Sequence, residues 1–283
     1  MTEEPFFVRE GARFIPQPPC RGPWDPKSLN GRVIVALCGF QIEDSYDLAD
    51  YMPARLTVDM YRLPGFAPIE IKTSVVRDGT RIKVIDAEFI SEGVSYARAT
   101  SQWLKRGVNS EGNVWSPPDW DVPPPEEIEP RPPRPNASNG APQTSAQMMR
   151  PISGMMGTFG QKRMWIADIR ELVGGTPLTP FMRAAGVADL ANPYSNSGDN
   201  GLGYINSDVT LYLHRLPVDE WIGLEVVRHH ASDGVAIGQC VMYDREGAIG
   251  TTSVTGPAQK SNAAAMRAMA EARAAQANSE EEA

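Results

Sequence analysis

Apolar positions rich in β-branched and aromatic residues, interspersed with polar ones, run through IEIKTSVVR (69–77), TRIKVIDAEFI (80–90) and VSYARATSQWL (94–104). The pattern returns through WIGLEVVRH (221–229), VAIGQCVMYD (235–244) and AIGTTSVTG (248–256). β-Branched and aromatic residues are frequent in these runs, so each predicts a β-strand. The runs are bounded by Asp78-Gly79, Glu92-Gly93, Asp233-Gly234 and Glu246-Gly247, dipeptides that suit tight hairpins, so each group predicts an antiparallel meander. Ahead of each meander lies a mostly apolar segment of helical type, GRVIVALCGFQIED (31–44) and TPFMRAAGVADLAN (179–192). The second opens with Thr179-Pro180, a capping hydroxyl followed by a proline in the first turn. An apolar helix followed by four antiparallel strands predicts a sheet wrapped around a central helix.

The two groups are copies. RLTVDMYRLP (55–64) overlays DVTLYLHRLP (208–217) without a gap, sharing Thr57/Thr210, Arg62/Arg215, Leu63/Leu216 and Pro64/Pro217. Val75-Val76-Arg77 then matches Val226-Val227-Arg228. Between the copies, PPDWDVPPPEEIEPRPPRP and NASNGAPQTSAQ are too rich in proline and polar residues for a helix or central strand, and predict a linker. The expected organisation is a first repeat over 1–107, a proline-rich linker over 108–150, a second repeat over 151–257 and a helical or disordered tail over 258–283.

Composition narrows the function. A net charge of −8 argues against a nucleic-acid surface, which needs clustered Lys and Arg, but leaves room for an anionic ligand held by a few local cations. The three cysteines, Cys20, Cys38 and Cys240, are odd in number and widely spaced, so free thiols are expected rather than disulfides. The first residues lack the apolar run of a secretory signal and no stretch reaches transmembrane length, so a cytoplasmic protein without a membrane partner is expected. No GxxxxGK[ST] or helix-opening GxGxxG motif is present, and no His, Cys and carboxylate cluster has metal-ligand spacing; neither a metal nor a cofactor is expected. Gly93-Val94-Ser95-Tyr96-Ala97 approaches the GxSxG of serine hydrolases, but it leads from a hairpin into a strand rather than into a helix.

The repeat, with Asp208 to Arg215 followed by Asp219-Glu220-Trp221, resembles the acyl-CoA thioesterase II family and its thioesterase-like relatives, over roughly 13–107 and 154–256. The resemblance implies an α+β tandem, or double, hotdog: two antiparallel sheets, each wrapped on a central helix. It also implies hydrolysis of acyl-CoA by a water molecule, using an aspartate, a hydroxyl residue and a glutamine of the second copy. Carried onto this chain, the aspartate falls on Asp208, whose equivalent in the first copy is Arg55. The hydroxyl position falls among His229, His230 and Ser232, and the glutamine position falls on Thr255, a departure from the family pattern.

The chemistry requires a base, donors for the developing oxyanion and an exit for the thiolate. Asp208 is the candidate base, assisted by Thr255 and by His229 or Ser232. Asp189, on the second helix, is a rival acid to Asp208, with a solvent-facing position on that amphipathic helix as the alternative. Oxyanion donors are expected at helix starts, at Gly31 and at the Thr179 to Phe181 turn. Arg55, with Arg62, Arg77, Arg215 and Arg228, offers guanidinium forks for the phosphates of CoA. The sequence thus predicts an acyl-CoA hydrolase. Because the glutamine is replaced, an acyl-CoA or acyl-chain binding protein with little or no turnover stands as the alternative. A hydratase on the same fold is disfavoured by the lack of a helix-borne Asp and His pair. Exposed meander edges predict a homo-oligomer.

Overall fold

The computed structural model describes residues 4–25, 27–118, 120–130, 147–168 and 170–259, and the runs rich in β-branched and aromatic residues are strands in it. In chain order the elements are β1 (Phe7–Glu10), β2 (Arg13–Pro16), α1 (Gly31–Ser45), β3 (Tyr51–Met60), β4 (Ile69–Asp78), β5 (Ile82–Ser91) and β6 (Val94–Lys105). They continue with β7 (Gln147–Ser153), β8 (Arg163–Asp168), α2 (Pro180–Ala188), α3 (Ala191–Ser195), β9 (Ser197–Gly198) and β10 (Gly201–Leu202). The last four are β11 (Asp208–Leu213), β12 (Trp221–Ser232), β13 (Val235–Asp244) and β14 (Gly247–Pro257). Glu92-Gly93 and Asp233-Gly234 both take positive φ, at 50° and 75° and at 51° and 78°, the conformation a two-residue hairpin loop needs to match strand twist.

The expectation of two separate sheets is corrected. Twelve strands form one sheet in the order β1-β2-β4-β5-β6-β3-β11-β14-β13-β12-β8-β7. Each half runs through the same sequence of strands from its edge to the centre, and the halves join where β3 pairs antiparallel with β11. The repeat-equivalent residues Thr57 and Thr210 lie directly opposite each other at that joint, with their hydroxyls 3.2 Å apart. The physical reason is edge satisfaction. Each meander would leave β3 or β11 with unpaired backbone groups, and each closes the other's edge within one chain. The exposed-edge argument for association therefore applies only to the outer strands. The repeat also extends to irregularity, since the register slips between Val75 and Arg77 and again between Val226 and Arg228, placing a bulge at equivalent positions.

The core lies between the sheet and the two longer helices. α1 is buried from Arg32 to Phe40 and at Ile42, which explains why its sequence is apolar nearly all round. α2 packs against it in the opposite direction: Gly39 of α1 approaches the Phe181 ring, and Gly186 of α2 approaches Ala36. Leu56, Val58, Phe89, Val209, Leu211 and Val254 supply the buried face of the central strands.

Part of the segment read as linker is built onto the second half. Trp120 lies 5.1 Å from the Trp165 ring and 4.6 Å from Tyr243, and Val122 and Ile128 pack on Trp165 and Trp221. Trp165 Nε1 donates to the Pro123 carbonyl at 3.0 Å, while Arg245 bridges Glu126 and Asp219. Gly223 lies under Trp120 and must be glycine, because a Cβ there would occupy the indole. The linker's last residues, from Gln147, already belong to β7. Most of the expected tail, 260–283, lies outside the described residues. Among the described residues no helix is long and apolar enough to cross a membrane.

Candidate active site

The end of α2 meets the start of α1, and a carboxylate stands at that meeting. α1 is capped by Asn30, whose side chain accepts from the Arg32 backbone N–H at 3.2 Å. Asp189, the residue that closes α2, sets its carboxylate against Gly31: a Cβ on Gly31 would come within 2.8 Å of Oδ1. Glycine is therefore required at this start, whatever its helix propensity. Asn206, in the segment before β11, donates its side-chain amide to Asp189 Oδ1 at 2.8 Å. The buried Thr252 hydroxyl donates to the Ala188 carbonyl at 3.0 Å and ties the end of α2 to β14.

Asp189 is 6% exposed. Burial raises its carboxyl above the ordinary range, while Asn206, the Arg32 charge and the Arg32 backbone N–H oppose the rise. An apolar crevice opens beside this point between the helices, lined by Phe6, Val33, Ala36, Leu178 and Met182 with Arg32 and Asp168 at its polar side. A desolvated carboxylate held by an amide at the positive end of a helix has the character of a general base, and the donors beside it suit a developing negative charge.

The residues expected from the sequence fall in five places. Gly31 is at this site. Asp208 and Thr255 are brought together: the Thr255 backbone N–H donates to Asp208 Oδ1 at 2.7 Å and its hydroxyl donates to the same oxygen. They alternate with the buried Val209 and Val254, so they belong to the sheet face turned away from the helices. Arg55 lies on that same outer face of β3, opposite Tyr212.

His229 is elsewhere, with Nδ1 2.8 Å from Asn196 Oδ1 and its ring 5.7 Å from Tyr204. Burial lowers its pKa, with His230 and Lys162 acting in the same direction. Ser232 is exposed at a hairpin, where its hydroxyl contacts the Asp233 carboxylate. Thr179 caps α2, accepting from Met182 N at 3.1 Å and donating to Glu43 Oε2 at 2.6 Å. Thr179 and Glu43 meet at the opposite end of the helix pair from Gly31 and Asp189.

The solvent-facing alternative for Asp189 is thus overturned, because α1 covers it. Asn206 carries no sequence signal beyond its place two residues before the strand that begins at Asp208. The three cysteines are free and buried, and burial raises all their thiols, Cys38 to about 12, so none is a ready nucleophile.

Residues 124–254 match the family model described as the acyl-CoA thioesterase C-terminal domain. A search of the curated proteins finds no match. Among solved structures, the tesB protein of Mycobacterium avium subs. paratuberculosis is 16% identical, covering 90% of this chain and 96% of that one, with a TM-score of 0.66. A hot dog fold protein of unknown function from Alicyclobacillus acidocaldarius is 17% identical over the same shares, with a TM-score of 0.69. The acyl-CoA thioesterase II TesB2 of Mycobacterium marinum is 14% identical, covering 81% and 90%, with a TM-score of 0.57. At these identities the likeness establishes the fold, which is that of hotdog proteins.

Proposed function

We propose, from the match of residues 124–254 to the acyl-CoA thioesterase C-terminal domain model, that the chain hydrolyses acyl-CoA thioesters to free acid and CoA. We read it as two hotdog repeats, 1–107 and 151–257, joined by the segment 108–150 and sharing the single sheet. The observation that carries the mechanism is the buried Asp189 carboxylate, seated on the first turn of α1 and oriented by Asn206.

In this reading Asp189 takes a proton from water as the water oxygen attacks the thioester carbonyl. The carbonyl oxygen becomes an oxyanion beside the α1 N-terminus and the Asn206 amide. When the tetrahedral intermediate collapses, the C–S bond breaks and the proton held by Asp189 returns to the departing CoA sulfur. Asp208 and Thr255 hold the segment that carries Asn206: the Ser207 backbone N–H bonds the Thr255 carbonyl at 2.8 Å, and Thr255 in turn bonds Asp208.

Thiol release from a panel of acyl-CoAs by the wild type, Asp189→Asn and Asp208→Asn tests this. The expected result is turnover by the wild type, its loss in a folded Asp189→Asn protein, and a smaller effect of Asp208→Asn. Collapse in Asp208→Asn with activity kept in Asp189→Asn would transfer the base to Asp208. No turnover on any chain length, with acyl-CoA binding retained, would favour the acyl-binding alternative, which accords with Thr255 falling where the resemblance implies a glutamine.

A further inference from the structure

One charged group at the site has no part in the proton transfers. Arg32 is the first side chain after Gly31 on α1 and is 4% exposed. Its Nη2 pairs with Asp168 Oδ2 on β8, and the same nitrogen lies against Gly186, one turn of α2 before Asp189. The side chain therefore runs between the helices toward β8, one turn of α2 from the Asp189 carboxylate. Its guanidinium also stacks 5.2 Å from the Phe6 ring, which fixes its plane.

A buried arginine is costly to maintain. Burial lowers its pKa to about 10, and the nearby Asp189 charge works against that shift. Asp168 Oδ1 has no hydrogen-bond partner among the described residues, so Arg32 is the main satisfaction of that buried carboxylate. A pairing of this kind could be replaced by apolar residues without loss of stability, which directs attention to its effect on Asp189.

We propose that Arg32 is a positioning residue: clamped by Asp168, its guanidinium fixes the Asp189 carboxylate as the anion that receives the water proton. The inference rests on the functional reading above for its consequence in turnover, but not for its effect on Asp189 itself. The other groups around the pair are the Asn206 amide from the segment before β11, Arg170 just beyond β8, the Cys20 thiol from the N-terminal segment, and Arg183 of α2, which donates to the Asp168 carbonyl at 2.7 Å. Arg183 donates to the Asp168 backbone carbonyl, whereas the Arg32 guanidinium pairs with the Asp168 carboxylate itself.

The test reads Asp189 directly. Protein labelled with 13C at the aspartate carboxyl carbons is titrated by NMR, with the Asp189 resonance assigned by Asp189→Asn. Three variants are compared with the wild type. The pair Arg32→Gln with Asp168→Asn removes the guanidinium without stranding a buried carboxylate. Asp168→Asn alone releases the guanidinium toward Asp189. Arg32→Lys keeps the charge but not the fork. The expected result is an upward move of the Asp189 midpoint by about one pH unit in the double variant, a tenfold change in its proton affinity. A downward move is expected in Asp168→Asn, and a small change in Arg32→Lys.

The acid limb of the kcat/KM profile for thiol release should follow each midpoint, with Arg32→Lys restoring most of the activity that the double variant loses at low pH. An Asp189 midpoint unchanged in both the folded double variant and Asp168→Asn would overturn the proposal. Midpoints that move as expected in a chain that releases no thiol would uphold the role of Arg32 and instead sink the hydrolase reading.

Discussion

Asp189 and Gly31 are individually unremarkable in the sequence, and their importance comes from being placed together. With its folded pKa raised, Asp189 favours the fold while protonated, below the ordinary carboxylate range, and that contribution is lost as pH rises through its folded value. Two opposite outcomes follow for Asp189→Asn. Stability at neutral pH should rise by about 1 kcal/mol, seen as a higher Tm, because a buried charge is gone while an amide can still meet Asn206. Turnover should fall by a factor on the order of 10² to 10⁴. For the wild type, activity should decline on acidification at a pH above the ordinary carboxylate range, as the base is protonated. Gly31→Ala adds a methyl within 2.8 Å of the Asp189 carboxylate and should cost roughly 10²-fold in kcat/KM through misplacement of the base. A Gly31→Ala enzyme with wild-type kinetics would remove Asp189 from the mechanism. None of this was readable from residue type alone, since Asp208 has the same chemistry and a better motif but lies on the other face of the sheet.

At the scale of the element, local chemistry decided most of what the chain does. The strands over 69–78, 94–105 and 235–244 lie where the runs of β-branched and aromatic residues place them, and two of the hairpins, at Glu92-Gly93 and Asp233-Gly234, take positive φ at both loop residues, which glycine tolerates. The bulges at Val76 and Val227 were not legible. The VVR tripeptides repeat in the sequence, but only pairing with the neighbouring strand shows that one residue of each is extra. The segment around Trp120 is a similar case. Its prolines read correctly as neither helix nor strand, yet its indole, stacked between Trp165 and Tyr243, makes it a strap over the second half. Trp120→Ala should destabilise the protein by about 2 kcal/mol, the scale of a partly buried aromatic, lowering Tm while leaving kcat/KM for thiol release close to wild type. A larger effect on kcat/KM than on Tm would connect the strap to the site.

The whole molecule is organised around the β3–β11 joint, which turns two meanders into one sheet and brings two helices side by side in opposite directions. Because the joint and the helix contact bury the faces that either half would otherwise expose, the halves should unfold together. Native-state hydrogen exchange is expected to be slowest in β3, β11, β6 and β14, with amides of both halves opening at one common free energy, and faster at the outer strands β1 and β7. Two separate opening energies, one for each half, would show that the repeats fold independently. The sequence by itself determined the repeat, the meanders, their turns and the apolar helices, since propensity and turn chemistry act over a few residues. Only the tertiary structure decided that the meanders share a sheet, that Asp189 is covered while Asp208 faces outward, and that Asn206, Arg32 and Asp168 gather around the buried carboxylate. Those outcomes depend on which surfaces exclude water together, between residues as far apart in the chain as Arg32 and Asp189.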